Sequence, residues 1–266
     1  MDRAKILEKY RKEDEKLLVS KLLDKIELSE KQNKIQTTDF LSPIELKLCT
    51  DVLTTLVYKR FVIYGGTQNA QRNIIIIYPD KLADVFEKEK FDYNSVCNCV
   101  RISNCQDKYD HKVYLGGMIK LGLKREKIGD IIVVNDGADI IIEKELTKFL
   151  LSNLQQLTRF KKCIIELIDL QDVTQKEQEY QEFKIIVSSL RLDSVVAELS
   201  RTSRGKATEI LKQERVYVNY KNEVKNTKLI QPQDIITIRG VGKFIIDEIS
   251  GNTKSGKNVV MIKKFV

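Results

Sequence analysis

Residues that commonly carry metal or nucleophilic chemistry are scarce in this 266-residue chain, which has one histidine, five cysteines and no tryptophan. The sequence shows neither a convergent acid/base pair nor a cofactor loop, so we expect no catalytic residues and no bound cofactor. Long hydrophobic runs are also missing: the longest, residues 74–78, is far shorter than the ~20 residues of a membrane-spanning helix. The charged N-terminal stretch lacks the apolar core of a signal peptide. We therefore expect a cytoplasmic protein that does not associate with a membrane.

We expect the five cysteines to form neither a disulfide framework nor a metal site. Their odd number in a cytoplasmic protein predicts reduced thiols. Cys97, Cys99, Cys105 and His111 follow the spacing C-x-C-x5-C-x5-H, unlike the paired C-x-x-C motifs of zinc sites. The first two fall on one face of a predicted strand, so buried or half-buried thiols are favoured over metal ligands. His111 stands just before a predicted helix, where we expect a capping or packing role.

Positive charge is concentrated at the C-terminal end. Residues 188–266 contain 15 Lys and Arg against 8 Asp and Glu, whereas residues 1–187 contain 31 against 30. Nearly all of the net charge of +8 therefore belongs to the last third of the chain. A concentrated positive field favours a polyanion partner, because each neutralised phosphate releases condensed counterions.

The first predicted domain, residues 1–80, combines helices with a hairpin. Apolar residues at helical spacing in residues 6–26 predict one or two amphipathic helices. Ser42 and Pro43 are typical of a helix start, and that helix is predicted to reach about Tyr58. Residues 61–64 and 74–78 predict a hairpin with a long loop. Its glycine pair, residues 65–66, either approaches a phosphate or only serves the turn; the turn is favoured because no helix start follows directly.

The second predicted domain, residues 81–170, has a βαββαβ pattern typical of ferredoxin-like and RNA-recognition domains. Its predicted strands are 94–102, 130–134, 138–142 and 163–170, and its predicted helices are 112–121 and 144–157. The predicted outer strands lack the stacking aromatics of RNA-recognition domains. Any RNA contact by this domain is therefore expected through the basic cluster that follows the first helix, namely Lys124, Arg125 and Lys127.

Residues 171–182 are polar and form either a solvated link or a short charged helix, so residues 171–186 are predicted to link this domain to the last one, residues 187–266. A strand over 183–187 is expected to lead into the last domain. There we expect a short helix capped by Asp193 that ends at Leu199, and a second helix over 204–213 capped by Thr202 or Ser203. Strands are predicted at 216–218 and 235–238. The overall prediction is an α+β protein of three domains.

The predicted start of the second helix combines exposed amides, the positive end of the helix dipole and several cations. Arg201, Ser203, Arg204 and Lys206 all lie within one turn of it. This combination favours phosphate binding. The alternative is a solvated basic helix without a ligand.

The pattern RLD…SR-x-KA…V-x-VN…D-x-I-x-IRG resembles the small αL RNA-binding domain of the ribosomal small-subunit protein S-four. The chain departs from that family at three turns, where Glu214, Tyr220 and Gln233 replace its usual glycines. The pattern and the cations around it together predict RNA-binding residues in this domain: Arg191, Arg201, Thr202, Ser203, Arg204, Lys206, Lys212, Arg215, Asn219, Arg239 and Lys243.

The rest of the chain resembles the bacterial YlmH family, in which TDFLSP, YGGTQNAQR, HKVYLGGMIKLGLKREKIGDI, VSSLRLD and RGVGKF occur in the same order. Val113 departs from the acidic residue that is usual there. The resemblance implies an RNA-binding protein of the bacterial translation apparatus, acting in ribosome-associated quality control of stalled peptidyl-tRNA. Its expected partners are ribosomal RNA, tRNA and the large ribosomal subunit, and the chain is expected to be a monomer.

Two motifs resemble catalytic ones, but the residues around each do not fit the catalytic role. Residues 251–257 fit G-x-x-x-x-G-K, but Asn258 replaces the Ser or Thr that binds magnesium, and a strand rather than a helix is predicted to follow. Arg191-Leu192-Asp193 is similar to the catalytic triplet of pseudouridine synthases without their surrounding sequence. Two other functions stay open: an RNA-modifying enzyme such as a pseudouridine synthase or methyltransferase, and a scaffold whose basic domain binds protein or membrane.

Overall fold

A computed structural model describes residues 3–175, 178–253 and 255–266. The chain divides into two units, Met1–Lys176 and Glu177–Val266, called here the N-terminal unit and the C-terminal unit. Across the described residues, no helix is both long and apolar enough to cross a membrane.

The N-terminal unit begins with three helices and a small sheet. The helices are α1 (Arg3–Leu7), α2 (Glu13–Gln32) and α3 (Pro43–Thr55), and the strands are β1 (Gln36–Thr37), β2 (Phe61–Tyr64) and β3 (Ile74–Ile77). The sheet order is β1-β3-β2, so the predicted hairpin is confirmed, and the two-residue strand β1 was not predicted. Ser42 caps α3 as predicted: the Glu45 amide donates to its Oγ, and the Glu45 carboxylate accepts from the Ser42 amide at 2.7 Å. Helix α3 ends at Thr55, three residues before the predicted Tyr58.

The same unit continues into the predicted βαββαβ pattern. After α4 (Ala83–Glu87) come β4 (Cys97–Ser103), α5 (His111–Lys120), β5 (Ile128–Val134), β6 (Gly137–Glu143), α6 (Lys144–Asn153) and β7 (Ile164–Ile168). The strand order is β5-β6-β4-β7, and every neighbouring pair is antiparallel. This is the split βαβ arrangement of a ferredoxin-like sheet. The predicted topology is confirmed.

Both faces of this four-stranded sheet are covered. Val100 and Ile140 belong to the apolar cluster that includes Tyr114 of α5. On the opposite face, Cys99 and Ile141 share a cluster with the small N-terminal sheet. The predicted division at residue 80 therefore falls inside one unit, and the face that stacks bases in RNA-recognition domains is buried here.

The prediction that all five cysteines are reduced is wrong in this structure, which joins Cys105 to Cys163 in a disulfide. The two residues follow β4 and precede β7, and the pairing of Ser103 with Ile164 brings them together. Their Cα atoms are 4.7 Å apart although 58 residues separate them in sequence. Only sheet topology creates this proximity, so residue spacing does not reveal it.

The C-terminal unit is a six-stranded antiparallel sheet with two helices. Its elements are β8 (Tyr180–Val187), α7 (Leu192–Leu199), α8 (Arg204–Lys212), β9 (Val216–Val218), β10 (Lys221–Asn222), β11 (Ile235–Ile238), β12 (Gly242–Asn252) and β13 (Asn258–Phe265). The strand order is β10-β9-β11-β12-β13-β8. Both helices share one buried cluster with the strands. The predicted helices and the strands β9 and β11 are confirmed.

Two boundaries in this unit bear on the predictions. The segment 171–186 was predicted as a linker, but β8 begins at Tyr180 and pairs with β13 along its whole length. Only its first residues, 180–182, belong to the polar stretch, whereas Phe183, Ile185 and Val187 pack into the buried cluster of this unit. The P-loop look-alike joins β12 to β13 as a hairpin, and Asn258 opens a strand; Lys254 of this loop lies outside the described residues.

Candidate nucleic-acid interface

The start of α8 presents cations beside its exposed amides. Ser203 caps the helix, with the Lys206 amide donating to Oγ at 3.3 Å. No acidic residue lies in the first turn. Arg201, Arg204 and Lys206 are exposed, so their charges add to the positive end of the helix dipole. Thr202 instead lies in the turn before the cap, where its amide donates to the Ala197 carbonyl at 2.9 Å.

A buried carboxylate holds this helix start to the neighbouring helix. Asp193 is 5% exposed, and its Oδ2 accepts from Nη2 of Arg204 at 2.7 Å and from Nη2 of Arg191 at 3.2 Å. Burial alone would raise the pKa of Asp193, but the hydrogen bonds from the two arginines lower it. The predicted capping role for Asp193 is wrong: it lies inside α7, whose N-cap residue is Arg191. Two guanidinium groups share one carboxylate, which leaves net positive charge at the surface.

A second group of predicted residues lies at the opposite end of α8, roughly 13 Å away along nine residues of helix. Lys212 is in the last turn. Arg215 donates from Nη2 to the Arg239 carbonyl at 2.7 Å, and the Arg239 amide donates to the Arg215 carbonyl at 2.9 Å. The Arg239 guanidinium lies 5.0 Å from the ring centre of Tyr217. The eleven predicted residues of this unit therefore do not form a single cluster.

Lys243 and Asn219 have different surroundings. The Lys243 Nζ lies 4.1 Å from the Phe265 ring centre and 4.9 Å from that of Tyr220. Asn219 donates from Nδ2 to Asp234 Oδ1 at 2.8 Å and accepts from the Ile235 amide at 2.9 Å. Because both ends of its amide are engaged, Asn219 stabilises the turn, and its contact with RNA stays a prediction.

In the N-terminal unit, the predicted basic cluster is largely committed to internal contacts. Lys127 donates from Nζ to Asp39 at 2.7 Å and to Glu143 at 2.9 Å. Arg125 donates from Nη1 to the carbonyls of Ile128 and Gly129, at 2.5 and 3.1 Å. Lys124 is exposed. The structure therefore leaves Lys124 as the cation of this cluster best placed for a phosphate.

Sequence reasoning missed the contact between two of the motifs that carry the family resemblance. Arg72 donates from Nε at 3.1 Å to the Ile128 carbonyl, which also accepts from Arg125. The Asp130 carboxylate accepts from the backbone amides of Gln71 and Arg72 at 2.6 and 3.0 Å. In both motifs a charged residue, Arg72 or Asp130, stands within or beside an apolar strand sequence, and this was the signal from which the contact could have been predicted. The contacts support a turn role for the loop that contains residues 65–66.

The residues weighed as metal ligands are in different places. Cys97 and Cys99 are fully buried, and burial raises the pKa of the Cys97 thiol to about 12. Cys105 is in the disulfide. His111 is the first residue of α5 rather than the residue before it, and Asp110 caps that helix by accepting from the Val113 amide at 3.0 Å. Within the described residues, no group of three or more Cys, His, Asp or Glu is placed to hold a metal ion.

A basic helix start that a buried carboxylate holds to the neighbouring helix is an arrangement suited to phosphate groups. The comparisons with known proteins agree on the family. A family model described as "YlmH, N-terminal" matches residues 14–82, and one described as "Putative RNA-binding domain in YlmH" matches residues 89–172. The chain belongs to the YlmH family, which confirms the resemblance seen in its motifs.

Two similar proteins illustrate this membership. The "Ribosome-associated protein quality control protein P2" of Bacillus subtilis (strain 168) is 30% identical over 254 residues, which cover 95% of each chain. A solved structure described as "Cell division protein ylmH from Streptococcus pneumoniae" shares 16% identity, with a TM-score of 0.47 over 62% of this chain and 98% of that one. The structural similarity is too low to support an argument about fold or function.

Proposed function

We propose that the protein is a non-catalytic RNA-binding factor of bacterial translation. It binds ribosomal RNA, tRNA or both on the large ribosomal subunit, and it acts in ribosome-associated quality control of stalled peptidyl-tRNA. It works as a monomer in the cytoplasm, not at a membrane. The observation that carries the proposal is the helix start at Ser203, where the exposed cations Arg201, Arg204 and Lys206 lie within one turn of the first backbone amides of α8. The name of the Bacillus subtilis relative supports the ribosomal part.

The charges at this helix start favour an external anion. Arg201 and Lys206 have no ion-pair partner among the described residues, and Arg191 and Arg204 share the single carboxylate of Asp193. A phosphate at this position would meet cations that internal carboxylates do not neutralise. Because phosphate contacts carry little sequence information, we expect binding to depend on RNA shape and on salt concentration.

The surroundings of Asp193 support a non-catalytic role for the Arg-Leu-Asp triplet. The residue is 5% exposed, and both of its carboxylate oxygens accept hydrogen bonds from arginines. A carboxylate held in this way orients cations and is poorly accessible to a nucleoside. We therefore assign it to positioning Arg191 and Arg204.

The double variant Arg201→Ala/Lys206→Ala tests the proposal, since neither residue supports the fold through an ion pair. Its affinity for tRNA and for a ribosomal RNA helix is measured across a salt series. The slope of log K against log salt should fall by about one for each lost phosphate contact. The matched control, Lys148→Ala/Lys161→Ala, removes two exposed lysines from the N-terminal unit and should leave the slope unchanged. Unchanged affinity and slope in the first variant refute the assigned surface.

Sedimentation tests the ribosomal part of the proposal. In cell extract, the protein should travel with large subunits, and the Arg201→Ala/Lys206→Ala variant should remain near the top of the gradient. Incubation of the protein with ribosomal RNA, followed by mass analysis of the nucleosides, should show no change. A modified nucleoside would contradict the non-catalytic assignment.

A further inference from the structure

The sheet of the C-terminal unit has one face that neither α7 nor α8 covers. Val216, Ile236 and Phe244 belong to the buried cluster that packs against α7 and α8. Neighbouring residues in a strand point to opposite faces. Tyr217, Thr237 and Lys243 therefore face away from both helices.

Aromatic and cationic side chains form one continuous row across this face. Strand pairing places Tyr217 opposite Thr237, Thr237 opposite Lys243, and Phe265 opposite Tyr180. Lys243 on β12 contacts Phe265 on β13, with its Nζ 4.1 Å from the Phe265 ring centre, and so joins the two halves of the row. We call Tyr217, Thr237, Lys243, Phe265 and Tyr180, together with Tyr220 above Lys243, the aromatic row. It crosses five strands, a span of about 19 Å at the usual strand spacing.

The outer part of the row is accessible. Tyr180 is 39% exposed and meets Phe265 edge to face, with ring centres 5.1 Å apart. Tyr220 is half-buried and has a φ of 64°, a left-handed backbone that aromatic residues rarely adopt. This backbone belongs to the two-residue turn Asn219-Tyr220 between β9 and β10, where both residues have a left-handed φ. Here the ring is held against Lys243, at 4.9 Å.

The charge of the row favours nucleic acid over a protein partner. Arg239, stacked on Tyr217, and Lys243 contribute two cations, and the row contains no carboxylate. Acidic residues of this face begin in the next row, where Asp247 and Glu182 are paired with Lys263 at 2.9 and 3.7 Å. The exposed Glu248, opposite Met261, lies one row further from the aromatic row. Aromatic rings flanked by cations are the combination that binds unpaired nucleotides: the bases stack on the rings, and the cations meet the phosphates.

Tyr217, at the inner end of the row, is only 4% exposed. We infer that the accessible rings of the aromatic row, those of Tyr180, Phe265 and Tyr220, bind unpaired nucleotides of the RNA whose phosphates meet the start of α8. This inference rests on the proposed function and adds a second contact to it. The surface reads bases only by stacking, so it tolerates any sequence but requires a single strand.

The test compares two RNAs: a blunt hairpin, and the same hairpin with a 3′ tail of six uridines. The wild-type protein should bind the tailed RNA about ten-fold more tightly, as expected from stacking of at least one base. The double variant Tyr180→Thr/Tyr220→Asn should lose this advantage and bind the blunt hairpin normally. Threonine suits an edge strand and asparagine tolerates the left-handed turn, so both changes preserve the backbone.

Two control variants identify the rings as the cause. Tyr180→Phe keeps the ring and should keep the ten-fold advantage. Ile186→Thr removes a 44% exposed apolar side chain from the same strand, outside the row, and should have no effect. Cross-linking with a 4-thiouridine tail should attach the RNA to peptides containing Tyr180, Tyr220 or Phe265.

The outcomes separate this inference from the proposed function. If the wild-type protein binds both RNAs equally, or if the double variant keeps the advantage of the tail, the aromatic row does not bind RNA, whereas the proposed function stands. If the Arg201→Ala/Lys206→Ala variant binds the blunt hairpin normally while the tail still strengthens binding, the helix-start assignment fails and the inference stands.

Discussion

Arg204 and Asp193 join the first turns of α8 and α7 through a 2.7 Å contact between Nη2 and Oδ2. Asp193 is buried, whereas the Arg204 side chain is 51% exposed. One carboxylate therefore fixes the direction of a guanidinium that remains accessible to a ligand. Geometry and surface charge at the helix start depend on the same residue.

The variant Asp193→Asn should test this dependence. It keeps the shape of the side chain but removes the charge that Arg191 and Arg204 share. We expect a loss of about 1–3 kcal/mol in the free energy of unfolding, less than for a fully buried pair, because both arginines can be hydrated. Hydrogen exchange of peptides covering α7 and α8 should rise, while exchange in the N-terminal unit stays unchanged. Equal protection in the variant would contradict the role assigned to Asp193.

The pH dependence of stability follows from the same contacts. The arginines lower the pKa of Asp193 despite its burial, so its folded value lies below the unfolded value of about 3.9. The carboxylate therefore stabilises the folded state above about pH 4, and this contribution is lost as the pH falls through the folded pKa. Urea midpoints at pH 7 and pH 3 should differ less in Asp193→Asn than in the wild-type protein. An equal difference would show that other groups control acid unfolding.

Three turns hold non-glycine residues in the left-handed region: Glu214, Tyr220 and Gln233, with φ of 56°, 64° and 70°. Replacing Glu214 or Gln233 by glycine should stabilise the protein by about 0.5–1 kcal/mol each, because L-residues are strained there. Gln213, the neighbour of Glu214, has a φ of −76°, so Gln213→Gly is the matched control and should destabilise. Urea denaturation shows whether each glycine variant is more or less stable than the wild-type protein. Destabilisation by both glycines at 213 and 214 would contradict the strain argument.

The resemblance identifies these three positions from the sequence, because glycine is usual at each. Local signals also predicted a cap at Ser42 and a cap at Thr202 or Ser203, and the structure shows Ser42 and Ser203 in these roles, each bonded to a residue three positions further on. The role of Asp193 was missed because its partner Arg204 is eleven residues away. Burial of the second face of the four-stranded sheet was missed for a similar reason: the covering residues come from another part of the chain. Local chemistry is readable from sequence, whereas contacts made by topology are not.

The disulfide between Cys105 and Cys163 should be detectable by thiol titration. Under denaturing, non-reducing conditions the protein should show three reactive thiols, those of Cys49, Cys97 and Cys99. Because the bond closes a loop of 58 residues, its reduction should cost up to about 4 kcal/mol of stability by the chain-entropy estimate. The variant Cys105→Ser/Cys163→Ser should match the reduced protein. Five reactive thiols before reduction would contradict the bond.

Lys127 separates two carboxylates, Asp39 and Glu143, at 2.7 and 2.9 Å. Burial raises the pKa of Glu143, and Lys127 opposes that rise. In Lys127→Met no cation stabilises the Glu143 carboxylate, so we expect the free energy of unfolding to fall by about 1–3 kcal/mol at pH 8. A carboxyl whose folded pKa is raised favours folding most when it is protonated, so the loss should be smaller at pH 5. Adding Glu143→Gln should recover most of the stability at pH 8. Equal losses at both pH values would exclude carboxylate repulsion as the cause.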